Sequence, residues 1–266
     1  MLRTRIVSAG ILIPIVGAAV YLGGTLYLGL VLLAALLAGW EYLAMVRRTG
    51  AATSAVVCLA LIALLIADAA WPGLNARWWA PQAAVLAALT LHVFRANGEG
   101  SLTGWGLTVA GGCYLGYSMA HFVRLRGGPD GFAWVALAFL STWITDTGAY
   151  LVGRAVGRRR FFPRISPKKT LEGAVGGLVT GVAAVMALGA WWLGLSAASG
   201  LALGVLLTLG ATFGDLAESV LKRQVGVKDS GNLIPGHGGM LDRVDSLLFV
   251  VPIVYYFTVA LGINAL

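Results

Sequence analysis

Charge is scarce in this chain: Asp, Glu, Lys and Arg make up 11% of its 266 residues, where a soluble domain carries about 25%. That excludes an ordinary water-soluble globule. There are 2 cysteines and 3 histidines, too few for a disulfide framework or a Cys/His metal cluster. Cys58 and Cys113 both fall inside apolar runs and read as small packing residues. Segments of about ten residues with alternating hydrophobicity, the mark of a closed membrane barrel, are absent. No internal repeat stands out, since the likeness between WITDTGAY and ATFGDLAES is too short for a duplication.

Apolar residues dominate instead, at 59%, and the mean hydropathy is +0.85. A membrane-spanning helix needs roughly 20 apolar residues. Runs at 5–23, 25–46, 53–71, 79–95, 102–122, 132–153, 172–195, 200–221 and 246–264 approach or meet that need. They predict an all-α integral membrane protein, a polytopic bundle of about nine transmembrane helices. The first run is long and a second follows almost at once, so it reads as a span rather than a cleaved signal peptide.

Basic residues orient the bundle, because cytoplasmic loops carry the excess of Lys and Arg. With the N-terminus in the cytoplasm, Arg3, Arg5, Arg47, Arg48 and Arg95 fall on the inner side. So do Arg154, Arg158, Arg159, Arg160, Arg164, Lys168 and Lys169 in one loop, and Lys222, Arg223, Lys228 and Arg243 in another. Of the 19 basic residues, only Arg77, Arg124 and Arg126 are left outside. The protein is therefore expected in the cell (inner) membrane, with its N-terminus and large polar loops cytoplasmic. The net charge of +8 follows from that topology, since anionic membrane lipids attract cytoplasmic basic residues. Nucleic acid is not an expected partner.

Chemistry divides the chain more clearly than any linker does. Residues 1–130, with about five spans and little charge, are expected to form an N-terminal transmembrane scaffold. Residues 131–266 carry Asp146, Glu172, Asp215, Glu218, Asp229, Asp242 and Asp245, most of the 11 acidic residues. They are expected to form the catalytic transmembrane region with its cytoplasmic polar loops. The densest stretch, Ser219 to Asp245, reads SVLKRQVGVKDSGNLIPGHGGMLDRVD. So many ionisable groups at one place in a membrane protein point to a hydrophilic, multiply charged ligand.

Several of these groups have two readings. Asp215 and Glu218 share one helical face, with Lys222 a turn further on; they form either a helix-end cluster of ion pairs or part of a site. Asp146, beside Thr142, Thr145, Thr147 and Tyr150 within a span, is either a satisfied structural carboxylate or a functional one. Asp242 and Asp245 have the spacing of one helical face at the start of the last span, where acidic residues make good caps. With Asp215 from the preceding span they also make oxygen donors for a hard cation such as Mg2+. In PGHGG, the glycines around His237 permit positive φ, which lets amides converge on an anion; a plain turn is the alternative. Ser166 and Pro167 predict a helix N-terminus. Lys168 and Lys169 in its first turn oppose the helix dipole unless an anion sits there; lipid head groups are the alternative partner.

The order of these motifs resembles that of one family. Ser219, Lys222-Arg223, Lys228-Asp229, Gly231, Ile234-Pro235, His237-Gly238-Gly239-Met240 and Asp242-Arg243-Val244-Asp245 look like the signature of the CDP-diacylglycerol synthases, also called phosphatidate cytidylyltransferases. TDTGAY at 145–150, SPKKTLEG at 166–173 and GDLAES at 214–219 are similar to further motifs of that family. The resemblance implies transfer of a cytidylyl group from CTP to phosphatidate, giving CDP-diacylglycerol and pyrophosphate for phospholipid synthesis. It implies Mg2+, with room for a second cation, and a homodimer in the membrane. Catalytic work is then expected of Asp215, Lys222, Arg223, His237, Asp242, Arg243 and Asp245. Metal ligation falls to Asp215 and Asp242, with Asp245 and Asp146 as further ligands or neighbours. Substrate binding falls to Lys168, Lys169, Glu172, Glu218, Ser219, Lys228, Asp229, Gly238 and Gly239.

In that reaction a phosphatidate oxygen attacks the α-phosphorus of CTP in line, and pyrophosphate leaves. Two anions must approach, so positive charge matters more than acid–base groups. A phosphomonoester with a second pKa of about 6 is already largely dianionic and needs no general base. Two rivals remain at this point. A CTP-dependent lipid kinase would pass the γ-phosphoryl group to a lipid alcohol. An anion transporter would move its ligand across the bilayer and would favour inverted repeats.

Overall fold

The computed structural model describes residues 2–94 and 101–264; Arg95 lies outside them, and of Arg3 and Arg5 only the backbone is described. Among the described residues the α-helices, in chain order, are α1 (Leu2–Leu22), α2 (Gly24–Val46), α3 (Ala55–Ala70), α4 (Ala76–Val93) and α5 (Ser101–Gly127). Then follow α6 (Gly131–Val156), α7 (Leu171–Leu193), α8 (Ala197–Gln224), the short α9 (Leu241–Val244) and α10 (Leu247–Ala260). An antiparallel hairpin, β1 (Arg160–Phe162) with β2 (Ser166–Thr170), joins α6 to α7. The chain is an all-α membrane protein. The segments Gly24–Thr49, Gly131–Val156, Leu171–Leu193, Ala197–Gln224 and Leu241–Ala260 are long and apolar enough to cross a bilayer.

The chain packs as two compact units. One comprises Met1–Arg124 and Gln224–Val244, the other Leu125–Arg223 and Asp245–Leu266. The first boundary lies between Arg124 and Leu125. The polar segment after α8 belongs with the first unit, although its composition groups it with the second half of the sequence.

In the first unit α3 and α4 are neighbours, with Val57, Leu61 and Leu65 packed against Ala76, Ala80, Ala84 and Ala88. Alanine at every fourth position gives α4 a smooth face on which α3 can lie close. Trp105, Val109, Cys113 and Tyr117 of α5 close over this cluster. Cys58 is fully buried, and both cysteines are free thiols. At the far end of α3, the wholly buried Asp68 accepts hydrogen bonds from the Ala76 amide at 2.7 Å and the Arg124 guanidinium at 2.9 Å. Arg77 Nε lies 3.7 Å from the same carboxylate. A buried carboxylate needs such partners, so one aspartate holds two of the arginines that the basic-residue count leaves outside.

In the second unit α6 and α7 meet through glycine. A Cβ at Gly177 would sit 2.9 Å from the Thr145 carbonyl oxygen, and one at Gly173 would sit 2.8 Å from that of Ala149. A Cβ at Gly204 of α8 would lie 2.9 Å from Val182 Cα on α7. In lipid, where apolar burial gives helices little reason to associate, such close backbone approach supplies the packing energy. The run Gly173-x-x-Gly176-Gly177 is thus used inside the chain, against α6.

Ser166 and Pro167 do not begin a helix as their pattern predicts; they open β2. The helix starts at Leu171, because Thr170 in an extended conformation (φ −116°, ψ 154°) caps it, its Oγ1 accepting the Gly173 amide at 3.1 Å. Lys168 and Lys169 therefore sit on a strand, and the conflict with the helix dipole does not arise. Glu172 ties hairpin to helix by accepting the amides of Arg158 at 3.0 Å and Arg159 at 3.2 Å.

Candidate active site

The second unit encloses a cavity of about 410 Å³. Asp146, Tyr150 and Arg154 reach it from α6, Phe161, Lys168 and Lys169 from the hairpin, and Thr212 and Asp215 from α8; Gly173 and Gly177 form the α7 wall. The family-like stretches at 145–150 and 166–173 share this cavity. Arg154 Nη1 donates to the Tyr150 hydroxyl at 3.2 Å. The Lys169 ammonium is ion-paired with Asp215. Cations able to meet phosphate oxygens thus stand beside carboxylates able to meet a metal.

Along α8, side chains one turn apart are bonded in pairs. Ser219 Oγ donates to Asp215 Oδ1 at 3.3 Å, and Lys222 Nζ donates to the buried Glu218 at 3.0 Å. Gly214 has no side chain for a local reason: its Cβ would lie 2.8 Å from the Asp245 carbonyl oxygen and 2.9 Å from Ser246 Cα. That approach puts the half-buried Asp245 carboxyl in hydrogen-bonding contact with Glu218 and close to Asp215 and Lys222. Arg223 turns to the hairpin, its Nε donating to the Ile165 carbonyl at 3.2 Å. Among the described residues, no three His, Cys, Asp or Glu side chains converge closely enough to hold a metal by themselves.

The segment Gln224–Val244 of the first unit is built around two buried carboxylates. Asp242 Oδ2 accepts the Ser230 amide at 2.9 Å, the Ser230 hydroxyl at 2.9 Å and the Gly239 amide at 2.8 Å. Glu41 of α2 accepts the Met240 amide at 2.9 Å, the Leu241 amide at 2.8 Å and the Ser230 hydroxyl at 3.0 Å. Gly238, at φ +82°, makes the left-handed turn that its type allows. The glycine pattern allows either amides presented to a bound anion or a plain turn; the Gly239 amide donates to Asp242, and the Met240 and Leu241 amides donate to Glu41. His237 Nδ1 lies 2.7 Å from Ser8 Oγ of α1. Lys228, Asp229 and Arg243 are exposed on the same segment.

The expected residues therefore fall in two places. Asp146, Lys168, Lys169, Asp215, Glu218, Ser219, Lys222 and Asp245 belong to the second unit, together with Arg223 and the loop-tying Glu172. Lys228, Asp229, His237, Gly238, Gly239, Asp242 and Arg243 belong to the first. Sequence reasoning passed over Glu41, Ser230 and Arg154. Glu41 carried a usable signal, being the sole acidic residue in its apolar run; the rule that selects Asp146 selects it too.

The sequence pattern of the Cytidylyltransferase family matches residues 3–261. A phosphatidate cytidylyltransferase of Synechocystis sp. is 36% identical over 287 residues, covering 97% of this chain and 96% of that protein. One from Staphylococcus haemolyticus is 43% identical over 148 residues, or 53% of this chain and 54% of that protein. One from Brucella suis is 43% identical over 163 residues, 58% of each.

Proposed function

We infer that this chain, which belongs to the cytidylyltransferase family, transfers a cytidylyl group from CTP to phosphatidate, giving CDP-diacylglycerol and pyrophosphate. The observation that carries this reading is the likeness to a phosphatidate cytidylyltransferase along 97% of the chain. The chemistry of the second unit agrees with it. Phosphatidate keeps its acyl chains in lipid, and only its phosphate has to reach a polar cavity.

Residue roles follow as proposals. Lys168, Lys169 and Arg154 hold phosphate oxygens in the cavity, and the Lys169 ammonium offsets Asp215 when no substrate is bound. Lys222 and Arg223 in the second unit, and Lys228, His237 and Arg243 in the first, are further groups for phosphate. The donor set fits a hard divalent cation, since Asp215 and the neighbouring Asp245 supply carboxylate oxygens, and Mg2+ commonly takes only one or two carboxylates beside water and substrate phosphate. When bound, such an ion would offset the charge of two approaching phosphates and polarise the phosphorus under attack. Asp146, which lines the same cavity, is placed to meet the ion or its water. Asp242 is assigned to the loop that its Oδ2 orders.

The membrane arrangement is proposed on similar grounds. Segments α1 to α8, and α9 with α10, each cross the bilayer, with Arg47, Arg48, Arg154, Lys222 and Arg223 at cytoplasmic ends of the inner membrane. Exposed Trp71, Trp78 and Trp79 lie near the opposite end of α3 and α4, and exposed Trp191 and Trp192 lie at the end of α7 away from Lys169. Tryptophan belongs at the membrane–water interfaces on either side, which supports these span ends; the orientation itself rests on the basic residues. Two copies are taken to associate as a homodimer, as the family resemblance implies.

Purified protein in detergent micelles with phosphatidate, CTP and Mg2+ tests the reading. CDP-diacylglycerol and pyrophosphate should appear in equal amounts and stop when the divalent ion is chelated. Lipid phosphate and CDP formed from a lipid alcohol would replace this reading with the kinase, and no consumption of CTP would remove both.

A further inference from the structure

We propose that Glu41 is a positioning residue that holds the loop of residues 230–241 in its working shape. The inference rests on the cytidylyltransferase reading, but its geometry stands apart from it. Glu41 is 7% exposed, on a helix apolar enough to span a membrane, where a carboxylate is costly unless it is paired or hydrogen-bonded. Both of its oxygens are used. Oε1 accepts the Met240 amide, and Oε2 accepts the Leu241 amide and the Ser230 hydroxyl. Such bonds to a charged acceptor are the stronger kind.

The loop is also shaped to admit this side chain. A Cβ at Gly231 would lie 2.6 Å from Glu41 Oε1, and one at Gly239 would collide with the Ser230 hydroxyl and the Glu41 carboxylate together. Both glycines thus make room for a residue nearly 200 positions earlier, as the 189- to 200-residue separations of these hydrogen bonds record. Met240 and Leu241 directly precede Asp242 and Arg243, and the Ser230 amide donates to Asp242. Through these three donors Glu41 sets where the loop's own charged groups stand, without touching substrate.

Glu41→Gln keeps the size but replaces one acceptor oxygen with an amino group that faces an N–H. Turnover of CTP should fall on the order of 10²-fold, the effect of misplacing catalytic groups by about 1 Å. The loss should lie in kcat more than in KM. Hydrogen exchange of the peptide containing Met240 and Leu241 should quicken in the same variant. Glu41→Asp, which keeps the charge, should recover part of the turnover. Gly231→Ala, whose Cβ would meet Glu41 atoms first, should reproduce the loss if Glu41→Gln does not fold. A folded Glu41→Gln protein with wild-type kcat, KM and exchange overturns the proposal. So does a lower melting temperature with unchanged turnover per folded molecule, which is the result of a purely structural role. If the wild type makes no CDP-diacylglycerol, the functional reading fails, and exchange alone decides whether Glu41 holds the loop.

Discussion

Asp215 meets two demands at once: it stands in the second unit's cavity paired with Lys169, and it lies beside the Asp245 carboxyl. A carboxylate so placed serves a cation or a lysine, and in an enzyme that joins two phosphates it is worth most while both anions are close. Asp215→Asn keeps the shape and removes the charge. Its turnover should fall by about 10²-fold or more, with the remaining activity responding weakly to Mg2+ in a titration of initial rate. Near-normal activity with normal Mg2+ dependence would take Asp215 out of the site. Asp215 stands out in the sequence, because an acidic residue in an apolar run is rare and expensive. Its partner does not: Lys169 is close in space but far along the chain, and no local pattern joins them.

Helices were the most legible elements, because a long apolar run in lipid must satisfy its backbone hydrogen bonds within itself. The hairpin before α7 was not. Ser166-Pro167 is a sound helix-start pattern, but Thr170 offers a better one, with Glu172 in the first turn of the helix it caps. Strands of three and five residues are too short to print a period-two signal. The shift matters, because it moves Lys168 and Lys169 from a helix end to a cavity wall. Thr170→Ala should remove the cap and destabilise α7 by about 1 kcal/mol, seen as a lower melting temperature in micelles. Thr170→Ser should keep most of the stability. If alanine is tolerated without change, the cap does not set the start of the helix.

At the scale of the whole molecule, composition gave the membrane class, but neither it nor the pattern of basic residues gave the division into units. Charge assigns Gln224–Val244 to the second half of the chain, whereas hydrogen bonds donated to Glu41 tie it to the first unit. One buried side chain outweighs the composition of the whole segment, and a single residue leaves no run or period to read. The central claim is that phosphorus moves from the α position of CTP onto phosphatidate. Purified protein supplied with phosphatidate and CTP, labelled either at the α- or the γ-phosphorus, tests it most directly. The α label should enter the lipid while the γ label leaves as pyrophosphate. A γ label in the lipid, or no label in the lipid from either position, would contradict the account.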